Sequence, residues 1–129
     1  MAAGKNILIV DDEKPIANLL AQTFTQEGHV VDSAKDGIDC MNKMATFMPD
    51  VVIMDIMMPK LDGVDTTRLI RRNKKYTGTI IVALSARADR ETRQRMKEAG
   101  ANIFMRKPFS IAKLIERVDE MLTARTELA

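Results

Sequence analysis

Val51-Val52-Ile53-Met54-Asp55 is a short apolar run that ends in an aspartate, and runs of this kind decide the fold of the chain. Two others, Ile7-Leu8-Ile9-Val10 and Ile80-Ile81-Val82-Ala83-Leu84, have the same character. None of the three alternates polar with apolar residues, which is typical of strands buried on both faces, as in a parallel sheet covered by helices. Weaker strand candidates extend from His29 to Ala34 and from Asn102 to Met105.

Helical patterns separate the strands in the first half of the chain. Pro15 suits the first turn of a helix that ends at Gly28, and Asp36 can cap a second helix that Pro49 stops. The predicted apolar stripes are Ile16, Leu19, Leu20 and Phe24 on the first helix, and Ile38, Met41, Ala45 and Met48 on the second. Cys40 on the second helix is interpreted as a small, half-buried apolar residue.

Three further helices are predicted in the second half. One extends from about Val64 to Asn73, a very polar one from about Asp89 to Ala99, and Ser110 can cap the last. The stripe of the last helix consists of Ile111, Leu114, Ile115, Val118, Met121 and Leu122. Because crossover connections are right-handed, five alternating strand–helix units predict a doubly wound α/β sheet. Ligands of such sheets bind beyond the carboxyl ends of the strands.

Polar residues stand at those strand ends. Asp11-Asp12 follow the first strand, Asp55 the third, Ser85 the fourth and Lys107 the fifth. Three carboxylates against one lysine leave a local charge of about −2, a repulsion on the order of several kcal/mol in a partly buried site. A divalent cation would neutralise it, and Mg²⁺ is the hard cation that prefers carboxylate oxygen and keeps some waters. Lys107 and the Ser85 hydroxyl could stabilise a phosphoryl group on Asp55, so the residues favour metal-assisted phosphoryl transfer.

Chain length, hydropathy and the numbers of cysteines and histidines exclude several classes of protein and of metal site. A chain of 129 residues fits one compact domain. No apolar run approaches the roughly 18 residues of a membrane span, and the N-terminus lacks a signal-peptide pattern, so we expect a cytoplasmic protein. Because Cys40 and His29 are the only residues of their types, an internal disulfide and a Cys/His metal cluster are excluded, and His29 is interpreted as uninvolved.

The motifs together resemble those of the receiver domains of bacterial two-component response regulators. In chain order they are Asp11-Asp12, Asp55 with Met57-Met58-Pro59 and Asp62-Gly63, Ser85-Ala86, and Lys107-Pro108-Phe109. Each is weak alone, but all of them in order are a specific signal, and the similarity extends from about Asn6 to Leu122. The resemblance implies a flavodoxin-like (βα)5 three-layer sandwich whose five parallel strands are ordered 2-1-3-4-5. Residues 1–129 would form a single receiver domain, with residues 123–129 as a tail or the start of a linker.

The same resemblance assigns the acceptor and the metal ligands. Asp55 would accept a phosphoryl group from a histidine kinase or a histidine phosphotransfer protein. Asp12, Asp55 and the main-chain carbonyl of Met57 would ligate Mg²⁺, and Asp11 would help through a water molecule. Such a protein catalyses only its own phosphorylation and dephosphorylation, so it is not an enzyme in the ordinary sense.

Resemblance also suggests how the phosphorylated state is held and transmitted. Ser85, which could also cap a helix, and Lys107 would bind the phosphoryl oxygens, and the Lys107–Pro108 peptide bond would be cis. Ser85 and Phe104 would form the switch. A downstream protein would bind the face made by the fourth helix, the fifth strand and the fifth helix.

Two further residues are expected to tune the lifetime of the phosphorylated state. Met57 lies two residues after the acceptor and Arg87 two residues after Ser85, positions known to tune dephosphorylation in this family. Met57 cannot orient a water molecule, and Arg87 is long enough to cover the phosphoryl group and hold its charge. We therefore expect a comparatively long-lived phosphoaspartate.

Rival functions are discriminated by the loop after the first strand. A flavodoxin-like electron carrier needs a phosphate-binding loop there, whereas Asp11-Asp12-Glu13 would repel a flavin phosphate. A hydrolase of the haloacid dehalogenase type would place an Asp-x-Asp pattern there, but the two aspartates are adjacent. A non-phosphorylated, receiver-like interaction scaffold stays open as an alternative.

The distribution of charged residues indicates which partners could bind and which kind of regulator could contain this domain. Between Thr66 and Ala88 there are six basic residues and no acidic one, which indicates a solvated helix end or a surface for an acidic partner. Direct nucleic-acid binding is disfavoured, because only Tyr76 could stack there. The segment Gly100-Ala101-Asn102-Ile103-Phe104 lacks the acids of receivers joined to winged-helix domains. A stand-alone regulator and a receiver from a longer regulator or hybrid kinase both stay open.

Overall fold

A computed structural model describes residues 4–57 and 61–128, which alternate five strands with five α-helices. The strands are β1 Asn6–Val10, β2 Val30–Ala34, β3 Val51–Asp55, β4 Ile80–Ser85 and β5 Ile103–Arg106. The helices are α1 Lys14–Gln26, α2 Gly37–Phe47, α3 Gly63–Arg72, α4 Arg90–Ala99 and α5 Ile111–Leu128, with a 3-10 turn at Lys74–Tyr76. In this described part, no helix is both long and apolar enough to span a membrane.

All neighbouring strands are parallel, and their order is β2-β1-β3-β4-β5. The predicted fold class and strand order are confirmed. β1, β3 and β4 occupy the centre, so the carboxyl ends of these three strands lie side by side. This arrangement brings together residues that are far apart in the sequence.

The core lies on both faces of the sheet. On β1, Ile7 and Ile9 pack with α1 and α5, while Leu8 and Val10 pack with α2 and α3 on the other face. A third cluster joins the start of α3 to α4 through buried residues that include Val64 and Met96. Alternate residues of one apolar strand therefore contact opposite layers, which explains why these strands do not alternate with polar residues.

The stripes predicted for the first two helices are partly wrong. Leu19 on α1 is 48% exposed, and Ile38 on α2 is 53% exposed. The buried residues of α2 are Gly37, Cys40 and Met44. A Cβ at Gly37 would clash with Thr66 and Leu61, so this close approach fixes which face of α2 points inward.

Other details of α2 follow from that orientation. Ala45 is exposed, and Met48 lies beyond the last helical residue with φ 54°, so neither continues the stripe. Cys40 is fully buried rather than half-buried, and burial raises the pKa of its thiol to about 12. It is therefore an inert core residue.

The remaining helices begin and end close to the predicted positions. Asp89 caps α4 by accepting a hydrogen bond from the Thr92 amide, so Ser85 does not cap this helix. Gly100 ends α4 in the left-handed region, at φ 114°. The stripe predicted for α5 is buried or half-buried, and the helix continues to Leu128, through most of the segment predicted as a tail or linker.

One residue of the basic stretch has a structural role. The half-buried Arg71 side chain donates hydrogen bonds to the carbonyls of Tyr76 and Gly100 and to Asn102 Oδ1. Asn102 Oδ1 also accepts the Ile81 amide at 2.8 Å. Arg71 thus ties the end of α3 to the end of α4 and to the sheet, so the solvated-end interpretation is wrong for this residue.

Candidate functional site

Four of the predicted site residues meet at the carboxyl edge of the sheet. Asp11 and Asp12 directly follow β1, Asp55 is the last residue of β3, and Lys107 directly follows β5. Asp11 and Asp55 are almost completely buried, whereas Asp12 is exposed. One carboxylate oxygen from each acid lies within 4.8 Å of the other two, which is close enough for all three to hold one metal ion.

Lys107 is the cation next to these acids. Its Nζ lies 3.4 Å from Asp55 Oδ2 and 3.7 Å from Asp11 Oδ2, and its side chain is largely buried. The Lys107 amide donates a 2.8 Å hydrogen bond to the Ser85 carbonyl, and the Lys107–Pro108 peptide bond is cis, as predicted. The end of β4 therefore holds the lysine over the acceptor.

Burial makes the acid cluster electrostatically unfavourable. It raises the pKa of Asp55 above its ordinary value, although Lys107 and the Met57 amide act in the opposite direction. It also raises the pKa of Asp11, against the hydrogen bond from the Glu13 amide to Asp11 Oδ1. Asp11 Oδ2 is buried and has no hydrogen-bond partner among the described residues.

These features suit a divalent cation. One oxygen from each of three carboxylates converges here, and hard cations prefer such ligands. Among the described residues, Asp11 Oδ2 has no hydrogen-bond partner. A single lysine cannot balance the charge of three carboxylates. A cation among them would offset the desolvation of the carboxylates and their smaller mutual repulsion, which both raise the pKa of Asp11 and of Asp55. The cluster can therefore bind a metal, and Asp11, Asp12 and Asp55 are the residues that can hold it.

The loop after β3 is anchored against the acceptor. The Met57 amide donates to Asp55 Oδ1 at 3.2 Å, and the Gly63 amide donates to the Ile56 carbonyl at 3.0 Å. A Cβ at Gly63 would lie 2.7 Å from Ile56 Cα and 3.0 Å from the Asp55 carbonyl oxygen. Asp62-Gly63 was identified in the sequence only as part of the motif set, which did not reveal this contact. Met58 and Pro59 lie outside the described residues.

Ser85 and Phe104 lie on the same face of neighbouring strands. Ser85 is fully buried, and its Oγ accepts the Arg87 amide at 3.0 Å. Phe104 pairs in register with Ala83, two residues before Ser85, and is half-buried. The guanidinium carbon of Arg93 lies 5.3 Å from the Phe104 ring centroid. The two predicted switch residues thus lie on the same side of neighbouring strands, and the Phe104 ring on β5 contacts Arg93 of α4.

The Arg87 side chain contacts an acid other than the acceptor. It is 65% exposed, and its Nε lies 3.5 Å from Asp89 Oδ1. Hydrogen bonds from the Thr92 hydroxyl and amide hold the pKa of Asp89 below its ordinary value. Sequence analysis missed the Asp89 contact, although an acid two residues after Arg87 was a visible signal.

An open cavity of about 430 Å³ adjoins the acceptor loop. It is lined by Ile56, Met57, Asp62, Val64, Arg87, Thr92 and Arg95. The cavity brings Met57 and Arg87, the two residues predicted to tune lifetime, into one space. Its lining combines apolar side chains with one acid, Asp62, and two arginines, Arg87 before α4 and Arg95 on it.

Comparison with known proteins identifies the same fold and motifs. Residues 7–119 match the family model of the response regulator receiver domain. The chain is 36% identical over 126 residues to the alkaline phosphatase synthesis transcriptional regulatory protein PhoP of Bacillus subtilis, covering 98% of this chain and 51% of PhoP. The chain spans about half the length of the curated relatives it matches.

Solved structures agree with this assignment. The chemotaxis protein CheY4 of Vibrio cholerae superposes with a TM-score of 0.86 at 28% identity, over 92% of this chain and 99% of CheY4. The BeF3-activated DrrB receiver domain superposes with a TM-score of 0.84 at 30% identity, over 93% of this chain and 98% of that receiver domain. With the match over most of its length, the chain belongs to the response regulator receiver domain family of two-component signal transduction.

Proposed function

We propose that Asp55 is the phosphoacceptor and that the phosphoryl group comes from a phosphohistidine of a histidine kinase or phosphotransfer protein. The position of Asp55 carries this proposal: it is the last residue of the central strand β3, it converges with two other acids, and it lies nearer to Lys107 (3.4 Å) than Asp11 does (3.7 Å). Receiver domains interact with kinases and downstream effectors, and this chain shares their fold and motifs.

Mg²⁺ is the metal that the donor set fits best. Asp12, Asp55 and the main-chain carbonyl of Met57 would ligate it directly, and Asp11 would act through a water molecule. When bound, Mg²⁺ supplies positive charge that neutralises the phosphoryl oxygens during transfer.

The chain's own residues would position the transfer. An Asp55 carboxylate oxygen forms the new O–P bond while the N–P bond of the donor breaks and the donor histidine recovers its electron pair. Lys107, already 3.4 Å from Asp55, would hold one phosphoryl oxygen, and the Ser85 hydroxyl would donate to another. Ser85 is fully buried and its Oγ accepts the Arg87 amide, so we propose that the hydroxyl moves toward that oxygen on phosphorylation.

This movement is the proposed origin of switching. A Ser85 hydroxyl drawn toward the phosphoryl group vacates space that Phe104 can occupy, which changes the face formed by α4, β5 and α5. A downstream protein would bind that face. The DrrB relative is known in a BeF3-activated form, which supports a shared response to a phosphoryl mimic.

Met57 and Arg87 are proposed to slow the loss of the phosphoryl group. Both line the cavity beside the acceptor loop, and the Met57 amide already contacts Asp55. A thioether side chain and a long guanidinium would crowd the approach of an in-line water.

The wider context stays a proposal. Relatives of about twice this length include transcriptional regulatory proteins, so this sequence could act as the receiver part of a longer regulator. The cytoplasmic location expected from the N-terminal sequence, and the single-domain extent of residues 1–129, remain predictions.

The decisive test is acid-labile labelling by acetyl phosphate or a phosphohistidine donor in the presence of Mg²⁺. Asp55→Asn should lose all labelling and keep its circular dichroism spectrum. Asp65→Asn is the matched control, because Asp65 is an exposed acid on α3 outside the cluster, and it should be labelled like the wild type. If Asp55→Asn is labelled as well as the wild type, the assignment is wrong. A wild-type protein that takes no label would favour the non-phosphorylated scaffold.

A further inference from the structure

Methionine exposure differs sharply between positions in this chain. Met44, Met54 and Met96 are fully buried, whereas Met57 is 57% exposed and Met48 is 45% exposed. Met48 ends α2, outside the acid cluster, and Met57 lies in the loop anchored to Asp55. Among the methionines whose burial is described, these two are the large exposed ones, and Met57 is the one at the site.

The surroundings of Met57 make a change of its polarity consequential. Met57 lines the cavity beside the acceptor loop, together with apolar residues such as Ile56, the acid Asp62 and the basic Arg87 and Arg95. An apolar thioether there offers water no strong hydrogen-bond acceptor. A sulfoxide at the same sulfur would place a strong acceptor oxygen in this cavity, on the residue whose main-chain amide donates to Asp55 Oδ1.

We propose that Met57 is a redox modification site that shortens the lifetime of the phosphorylated state when it is oxidised, an inference that rests on the proposed phosphorylation of Asp55. The oxidant is a peroxide. The sulfur lone pair attacks one peroxide oxygen, the O–O bond breaks, and methionine sulfoxide and water form from hydrogen peroxide. The sulfur loses two electrons, and the peroxide gains them.

Oxidation makes the Met57 side chain polar, so that it attracts water instead of excluding it. The sulfoxide oxygen accepts a hydrogen bond from water, so it holds a water molecule near the face of Asp55 from which hydrolysis proceeds. Phosphate loss then becomes faster by roughly three- to tenfold, less than the roughly 100-fold that a misplacement of about 1 Å can cost. Methionine sulfoxide reductases restore the thioether, so the modification is reversible.

The experiment uses the whole chain in a Met58→Leu background, so that the peptide of residues 55–61, released by a protease that cleaves before aspartate, contains a single thioether. The protein is treated with hydrogen peroxide, and peptide mass spectrometry measures oxidation at Met57, Met48 and the buried Met44. It is then phosphorylated with acetyl phosphate and Mg²⁺, the donor is removed, and the decay of phosphoprotein is followed before and after peroxide treatment.

The expected results differ between the exposed Met57 and Met48 and the buried Met44, and between variants at positions 57 and 48. Oxidation should occur at Met57 and Met48 well before Met44, and decay should become three- to tenfold faster, within the positioning range given above. The decay rate of a Met57→Leu variant, which keeps the main-chain carbonyl of residue 57, should not change on peroxide treatment, whatever that rate is, and Met57→Gln should decay fast without treatment. Met48→Leu should keep the full peroxide response, because it removes an equally accessible thioether far from the acceptor.

Three results would overturn the proposal: Met57 oxidised no faster than Met44, unchanged decay after full oxidation of Met57, or a peroxide response that persists in Met57→Leu. Failure of the proposed function looks different, because the untreated wild type would then take no phosphoryl group at all. That result would also remove the lifetime effect, whatever the oxidation at Met57.

Discussion

At the scale of single residues, two buried acids set the electrostatics of the site. The side chains of Asp11 and Asp55 are 2% and 5% exposed, and desolvation raises both pKa values above the ordinary 3.8. Between that value and the raised one, the folded protein binds more protons than the unfolded chain. The metal-free stability contributed by these groups therefore falls as the pH rises through that window.

Asp11→Asn should consequently stabilise the metal-free protein. Its amide can still accept the Glu13 N–H bond, while the buried charge is removed. We expect a gain of about 1 kcal/mol or more in the free energy of unfolding at pH 7. The gain should shrink as the pH falls through the raised pKa of Asp11, below which the wild-type carboxyl group is neutral as well. Urea denaturation in EDTA at several pH values measures it.

The exposed acid Asp65 provides the control for this prediction. Asp65→Asn removes the same formal charge, but that charge is exposed to solvent. The substitution should therefore not increase the free energy of unfolding at any pH. A less stable Asp11→Asn protein at pH 7 in EDTA would contradict the desolvation account. Both variants should be compared again with Mg²⁺, which should stabilise the wild type more than Asp11→Asn.

At the scale of elements, the position of the acceptor loop depends on how closely α3 approaches the end of β3. Gly63, the first residue of α3, allows the helix to begin against the Asp55–Ile56 backbone. The Asp62 side chain accepts the Asp65 amide at 2.9 Å and caps the same helix. Cap and glycine together fix where the loop returns to the helix.

Gly63→Ala should displace this loop. The added Cβ would meet backbone atoms at 2.7 and 3.0 Å, which cannot move aside as a flexible side chain can. We expect a loss of about 2 kcal/mol in unfolding free energy and weaker Mg²⁺ binding. Gly78→Ala is the matched control, because a Cβ there would have nothing within 4 Å. Thermal melts with and without Mg²⁺ test both, and equal behaviour of the two variants would refute the close-approach explanation.

At the scale of the whole molecule, the question is how a change at Asp55 reaches the face of α4, β5 and α5. Ser85 ends the strand next to β3, and the register places Phe104 on the same side of β5. The ring is only half-buried, and Arg93 of α4 covers it. A movement of Ser85 can therefore be passed to α4 through one aromatic side chain with two available packings.

Beryllofluoride with Mg²⁺ should shift amide resonances on α4, β5 and α5, far from the acid cluster. In Ser85→Ala the mimic should still bind, since Lys107 and the acids are retained. The distant shifts should be at least about twofold smaller, because the hydroxyl that moves is missing. Asp65→Asn serves as a control with full shifts. Full-sized shifts in Ser85→Ala would exclude this coupling.

The sequence by itself determined the fold class and the acid cluster. Unbroken apolar runs such as Val51–Met54 fit only strands covered on both faces, and a polar residue directly after each run must lie at the carboxyl edge. Asp11, Asp55 and Lys107 were predicted to meet for that reason, and they do. These predictions require only the location of each strand and the residue that follows it, and both can be identified from the sequence.

Tertiary structure alone decided which face of a helix turns inward and where long side chains reach. The inward face of α2 was mispredicted, because its orientation depends on the contact of Gly37 with Thr66 across two helices. Arg71 was interpreted as solvated, yet it bonds to carbonyls and an amide brought close by other elements. Such contacts join segments distant in sequence, and an apolar or charged pattern within one segment carries no information about the partner that will lie beside it.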